Sequence, residues 1–382
     1  MRVYSAQSAN DAWKEVAHEL LSDTAISCVG SRLGATREFL HTVIELSNPR
    51  DRWVVARTPA LNPAFALAEV VWLLAGRSDI AFLTHWFPQY PKYVGCDPQQ
   101  CGAYGERLRR RFGLDQIKRA YLALRNNPTS RQVVLQIWSA SDDLPDQFGR
   151  PKSSDVPCNL VSTLKVRQNR LEWLQLVRSN DIDRGVPHNF IQFTILQELM
   201  AGWLGIEVGS YVHIADSVHW YAEHSRRMGI DDNVVAAENE DRFAQSFEQS
   251  MRAFAALARR MDHIIDARQN NRSPALRDDG TLPKAFENVF AVIAADDARR
   301  FGENDRAEQI IARCDNPALL QVWRRWLARI SLTRLQRGIG LSRAMPATSR
   351  LSHAPEDPLR SAPRADRGDL QPFVKYAAAQ DR

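Results

Sequence analysis

The 382-residue sequence predicts an α+β fold with an added helical module, and three observations lead there. Strand patterns of period two and apolar helical patterns intermingle between about residues 25 and 230. Beyond about residue 235 the patterns are those of amphipathic helices. A hydrophobic fraction of 44% is that of a globular chain with a substantial core. The expected organisation is a mixed sheet flanked by helices over residues 1–235, a helical extension over 236–340 and a disordered tail over 341–382, where Pro, Arg, Ser and Asp displace large apolar residues.

In chain order, "LNPAFALAEVVWLLAGRSD" (Leu61 to Asp79) reads as a helix. Asn62 can cap it, Pro63 suits its first turn, and Gly76 can take the left-handed conformation that ends it. Its residues are apolar on every side, so the helix should be buried, yet the carboxylate of Glu69 stands in the middle. "RQVVLQIWSAS" (Arg131 to Ser141) alternates like a half-buried strand. "LVSTLKVRQNRLEWLQLVRS" reads as two strands around the polar turn Arg167 to Arg170. In "PHNFIQFTILQELMAGWLG" Phe193, Leu196, Met200, Trp203 and Leu204 recur at helical spacing and Gly205 can end the helix. "VGSYVHIADSVHWYAEH" reads as a strand leading into another helix. Two amphipathic helices follow, in "DRFAQSFEQSMRAFAALARRMDHIIDAR" and "NPALLQVWRRWLARISLTRLQ", linked by the turn-rich "QNNRSPALRDDGTLPK".

The formal charge of +5 and the pI near 9.0 suit anionic ligands such as phosphates but are too mild to imply nucleic acid binding. Five cysteines (Cys28, Cys96, Cys101, Cys158, Cys314) without a C-x-x-C pair indicate neither a disulfide framework nor a zinc site. No metal is expected. The N-terminus "MRVYSAQSANDAWKEV" has no apolar signal region, and no stretch approaches the roughly 18 apolar residues of a membrane span. A cytoplasmic location and no membrane partner are expected.

A lone cysteine opening a strand, as in "DVPCNLVSTL", is ordinarily a small buried hydrophobe. Context shifts that reading. Shortly afterwards "LVRSNDIDRGVPHNF" gathers Arg178, Ser179, Asn180, Asp181, His188 and Asn189 around Gly185 and Pro187, directly before a buried helix. Such a junction can line a pocket, and Arg and Ser suit a phosphate; an ordinary polar loop is the competing reading. The motifs "PCN", "RSND…GVPHN" and "DSVHWY", in this order and spacing, resemble the thymidylate synthase superfamily, which includes the pyrimidine nucleotide hydroxymethylases. "NNPTSRQVVLQIW", "LAEVVWLLAGRSDIAFL" and "GAYGERLR" resemble its other landmarks, and the resemblance covers about residues 28 to 225.

The resemblance implies a cysteine thiolate that adds to C6 of a pyrimidine nucleotide monophosphate, making C5 a nucleophile toward the one-carbon unit of 5,10-methylenetetrahydrofolate. Cys158 takes that role. A thiol needs a nearby cation to ionise at neutral pH, and Arg178 matches the residue that would supply it and hold the 5′-phosphate. Ser179, Arg131 and Arg32 would complete the phosphate cluster. In the family Arg131 would come from the partner subunit, so a homodimer is implied. His219 and Tyr221 match the sugar-binding pair; taken alone they could equally be a core histidine and a surface tyrosine. Asn189 matches the residue that reads the base, an amide able to pair with N3–H and O4 of uracil. Asp181 matches a residue near the folate and Tyr104 one near the nucleophile. Glu69 matches the glutamate that organises water and proton transfer at O4 and the folate.

Departures from the synthase pattern divide the readings. Asn159 stands where synthases carry His, Gln132 where they carry a second phosphate Arg, and Leu108 where "YG" leads to Trp. Asp183, Arg184 and His188 replace Phe, Leu and Phe. No synthase C-terminal closing segment is recognisable, and a synthase must close its site so that hydride transfer outruns water. Conversion of dUMP to dTMP is the leading reading, because Asn189 and most nucleotide contacts follow the synthase. A hydroxymethylase acting on dUMP, dCMP or CMP is the alternative. A non-catalytic nucleotide-binding scaffold is a third, and the helical extension could cap the site, extend the dimer or bind a protein partner.

Overall fold

The computed structural model describes residues 1–22, 28–31, 34–95, 97–221, 228–276 and 280–342. Met1–Arg334 form one compact unit; the remainder, Leu335–Arg382, holds the last turns of the final helix and otherwise lies outside the described residues, as does the expected disordered tail. No described helix is long and apolar enough to cross a membrane.

A mixed sheet flanked by helices is present, as the sequence predicts. Its eight described strands are β1 (Arg2–Ala6), β2 (Cys28–Ser31), β3 (Gly34–Leu46), β4 (Val134–Gln136), β5 (Asn159–Arg167), β6 (Arg170–Val177), β7 (Asn180–Asp181) and β8 (Glu207–Tyr221). They run in the order β1-β3-β8-β6-β5-β4, with β2 added to β3 and β7 to β8. The β1–β3, β6–β8 and β7–β8 pairs are parallel and the others antiparallel. The longer helices are α1 (Ala9–Ser22), α2 (Pro63–Leu74), α3 (Ile80–Trp86), α4 (Gln116–Asn126), α5 (Gly185–Leu204), α6 (Phe247–Gln269), α7 (Lys284–Arg300), α8 (Asn304–Ile311) and α9 (Pro317–Ser342).

Local chemistry accounts for the elements that hold the site. The Asn62 side chain accepts from the backbone N–H of Ala64 and Phe65 to start α2, and Gly76 follows the helix at φ 64°. Arg167 pairs with Arg170 across a two-residue turn in which Gln168 and Asn169 both have positive φ, the geometry that matches strand twist in a tight hairpin. That hairpin places β5 beside β6. The chain then crosses through α5 to reach β8, parallel to β6. α5 is buried on nearly all sides, packs against β6, β8, α2 and α6, and ends at Gly205 in the left-handed conformation.

Three expectations need correction. Residues 131–141 form only the three-residue edge strand β4, because a side chain replaces a strand partner: Gln116 accepts from the Gln136 N–H (2.8 Å) and donates to its carbonyl (2.9 Å). The strand read from Val208 runs further than expected: β8 continues to Tyr221, because Tyr211, His213 and Ala215 alternate inward and β3 pairs along it from Tyr211 to Tyr221, and residues 222–227, where the helix expected after it would begin, lie outside the described residues. Beyond residue 235 two further helices, α7 and α8, stand between the two the sequence suggests. α7 packs against α2 and α6, and its two buried aspartates are paired: Asp297 meets His85 (2.8 Å) and Arg268 (2.8 Å), while Asp296 meets Arg299 (2.7 Å) and Arg300 (2.6 Å) of its own helix.

Candidate active site

Cys158 lies immediately before β5, where the β5–β6 register shifts between Asn159 and Val161. A bulge of this kind re-aims side chains at a strand end. The thiol is half-buried and forms no disulfide. Arg178, at the end of β6, grips the approach to it: its backbone N–H donates to the Cys158 carbonyl (2.9 Å), Nε to Pro157 (2.9 Å) and Nη2 to Val156 (2.9 Å). These bonds leave Nη1 without a hydrogen bond among the described residues.

Behind the thiol runs a buried chain of amides whose direction is set at both ends. The Trp173 indole can only donate, and it donates to Oε1 of Gln175 (3.3 Å), which also accepts from Ser162 (2.6 Å). Nε2 of Gln175 therefore donates to Oδ1 of Asn159 (2.9 Å), and Nδ2 of Asn159 donates to Oδ1 of Asn189 (3.1 Å). From the other side, burial pushes the pKa of His213 down to about 3, so the ring is neutral. Tyr211 bonds Nδ1 (3.1 Å) and Nε2 bonds Oδ1 of Asn180 (2.9 Å), which also accepts from Nδ2 of Asn189 (3.3 Å). Asn189 is thereby held with one lone pair and one N–H to spare.

Tyr104 lies within electrostatic reach of both Cys158 and Glu69. Burial pushes its phenol pKa up, followed by the nearby Cys158 thiolate, while a side-chain hydrogen bond with Asn159 opposes this; the charges of Asp155 and Glu69 also raise it. Asp155 itself accepts from the Gly102 N–H (2.7 Å). Tyr104 is placed by its neighbour Gly105, which lies flat on α2: a Cβ there would stand 2.2 Å from the Leu73 carbonyl oxygen. The buried Arg107 then anchors the turn, pairing in bidentate fashion with Asp143 (2.6 and 2.9 Å). Glu69 is the one residue of α2 that is not fully buried, and it pairs with Nδ1 of His188 in α5.

The remaining candidates fall into two groups. His219 pairs with Asp181 across β7–β8, its Nδ1 lies 3.4 Å from the Ser179 hydroxyl, and its ring meets that of Tyr221 edge to face at 5.2 Å. Burial lowers the His219 pKa; Glu38 opposes this and Arg178 adds to it, which puts Arg178 within electrostatic reach. Burial, and then the Asp183 carboxylate, push the Asp181 pKa up. Arg178, Ser179, Asp181, His219 and Tyr221 thus share one end of β6, β7 and β8. Arg131 and Gln132, by contrast, are exposed beside the edge strand β4, and no hydrogen bond or ion pair joins Arg131 to another described residue. Arg32 lies outside the described residues. Sequence reading singled out neither Gln175, Asn180 and His213 as supports of Asn189 nor the pairing of His188 with Glu69. The signal available was their polar character at positions whose neighbours alternate inward.

A family model described as "Thymidylate synthase" matches residues 35–239. The chain is 35% identical over 198 residues, 49% of its length and 51% of the relative's, to a protein named "Deoxyuridylate hydroxymethyltransferase" from Bacillus phage SP01. A protein of the same name from Pseudomonas phage M6 is 34% identical over 164 residues, 42% of this chain and 45% of that one. The chain spans about half the length of these curated relatives.

Proposed function

The chain belongs to the thymidylate synthase family, and on that footing we propose that it transfers a one-carbon unit from 5,10-methylenetetrahydrofolate to C5 of a uridine monophosphate, dUMP first, releasing the 5-hydroxymethyl nucleotide. Residues 1–235 are the catalytic part and residues 236–340 an extension that covers it. Cys158 adds to C6. Arg178 and Ser179 take the phosphate, with Arg131 reaching it from the partner subunit of a homodimer, a role its exposure permits. His219 and Tyr221 meet the sugar. Asp181 faces the folate, its raised pKa suiting a carboxyl that shares a proton with a polar ring. Tyr104 and Glu69 handle protons around the ring.

The observation that carries the uracil assignment is the fixed Asn189 amide. Its spare lone pair accepts N3–H and its spare N–H donates to O4, whereas cytosine presents the opposite pattern at both positions. The hydroxymethyl outcome, rather than the methyl one, is supported by the names of both relatives and by Leu108, buried where the synthase pattern has Trp.

Incubation of the purified chain with methylenetetrahydrofolate and each of dUMP, dCMP, UMP and CMP tests this. The expected result is 5-hydroxymethyl-dUMP with tetrahydrofolate. Dihydrofolate and dTMP would return the assignment to a methylating synthase. Nucleotide binding with no tritium release from C5 would favour a scaffold. Cys158→Ala is expected to abolish tritium release, and release at the wild-type rate would remove Cys158 as nucleophile.

A further inference from the structure

The carboxylate in the middle of α2 has a partner from 119 residues away: Glu69 Oε2 bonds Nδ1 of His188, in the first turn of α5. Side chains of both are 15% exposed, so the pair is held by packing yet open to water. The imidazole also lies against the Phe65 ring, centroids 5.4 Å apart, which fixes its plane. His188 follows Gly185, Val186 and Pro187 and precedes the base-reading Asn189, so its backbone is set by the same helix start. The charge of Glu69 reaches the Tyr104 hydroxyl, which also feels Cys158, so the pair and the thiol lie within electrostatic reach of one phenol.

A carboxylate at Nδ1 has a definite effect on an imidazole. It selects the tautomer with the proton on Nδ1, makes Nε2 the basic nitrogen and stabilises the imidazolium once Nε2 takes a proton. Nε2 of His188 has no hydrogen-bond partner among the described residues, and it is not sealed from solvent. We propose that His188, oriented by Glu69, is the general base that deprotonates the water adding to the exocyclic methylene of the nucleotide. This rests on the hydroxymethyl reading above.

The step balances without a redox partner. In the Cys158 adduct, C5 carries a methylene conjugated with C4=O. The water oxygen forms a bond to the methylene carbon as an O–H bond breaks and its proton passes to Nε2 of His188. The π electrons move onto O4 as an enolate. Collapse of the enolate restores C5=C6 and expels the Cys158 thiolate, and the imidazolium proton returns to solvent. A phenyl ring at this position, as in the synthase pattern, has no lone pair to accept that proton.

The test measures the ratio of the rate of hydroxymethyl product formation to the rate of C5 tritium release within a single turnover, enzyme in excess over dUMP and with methylenetetrahydrofolate, for wild type, His188→Phe, His188→Gln and His188→Ala. Tritium release reports the earlier chemistry and so normalises for altered binding or partial unfolding. The expected result is a fall in this ratio of about 100-fold in all three variants, the usual scale of a general base, with added imidazole restoring the ratio in His188→Ala. A wild-type ratio in the variants, or a loss of product and tritium release in equal proportion, overturns the inference alone. Wild type that releases tritium without any hydroxymethyl product overturns both the inference and the reading beneath it.

Discussion

The indole N–H of Trp173 dictates, through Gln175 and Asn159, which way the Asn189 amide faces. The control is a matter of donor counting: each amide in the chain can satisfy its buried neighbour in only one orientation. Gln175→Glu puts an acceptor where Asn159 Oδ1 needs a donor, so Asn159 and then Asn189 lose their enforced orientation. The expected outcome in titration calorimetry is about a tenfold weaker dUMP complex, the scale of one lost hydrogen bond, with dCMP affected less. Equal weakening of both nucleotides would show that the amide chain has no part in choosing the base.

Gly105 touches the backbone of α2, with the ideal Cβ position 2.6 Å from Leu73 Cα. Gly105→Ala must push the Tyr104 turn and α2 apart, and overpacking against backbone costs about 1–3 kcal/mol. Since Tyr104 and Glu69 ride on those two segments, tritium release should fall along with the urea midpoint. An unchanged midpoint would mean that the two segments separate freely.

His213 supplies a pH dependence with a definite sign. Burial holds its folded pKa at about 3, while an unfolded histidine titrates near about 6.5. Between those values the unfolded chain binds the additional proton, so stability falls as pH is lowered, by up to about 1.4 kcal/mol per pH unit from this group. His219, whose pKa burial also lowers, adds in the same direction. Urea unfolding of wild type and His213→Gln at pH 7 and pH 5 isolates the His213 part: the variant should lose less stability between the two. An identical loss would mean that His213 is not neutral in the fold.

Much of this was legible in the chain itself, where the cause is local. Asn62 and Gly76 bracket α2, the turn between Arg167 and Arg170 pairs two strands, and Gly205 ends α5, because capping and turn formation depend on residues a few positions apart. The motifs around Cys158 and Asn189 are short for the same reason, and the structure brings the two segments together through Asn159, which donates to Asn189. What escaped depends on distant partners. α7, which the sequence reading did not include, carries Asp296 and Asp297 in succession, and the partners that let Asp297 be buried, His85 and Arg268, lie far away in the chain. "DSVHWY" remains a strand because β3, far earlier in the chain, pairs along it. His188 stood out as a polar replacement for Phe, but its meaning lies in a carboxylate 119 positions away.

The helical extension lends its neighbours more than cover. The Trp86 indole donates to the Ile293 carbonyl, Arg77 clasps Asp262, and Phe247 packs against both Trp203 and Tyr121. A fragment trimmed to residues 35–239 would leave that indole, that guanidinium and both rings facing water, and with them the outer side of the helix that bears Glu69. The segment that matches the family model therefore relies on α6 and α7 to bury its outer surface, and a stable preparation is expected to need both.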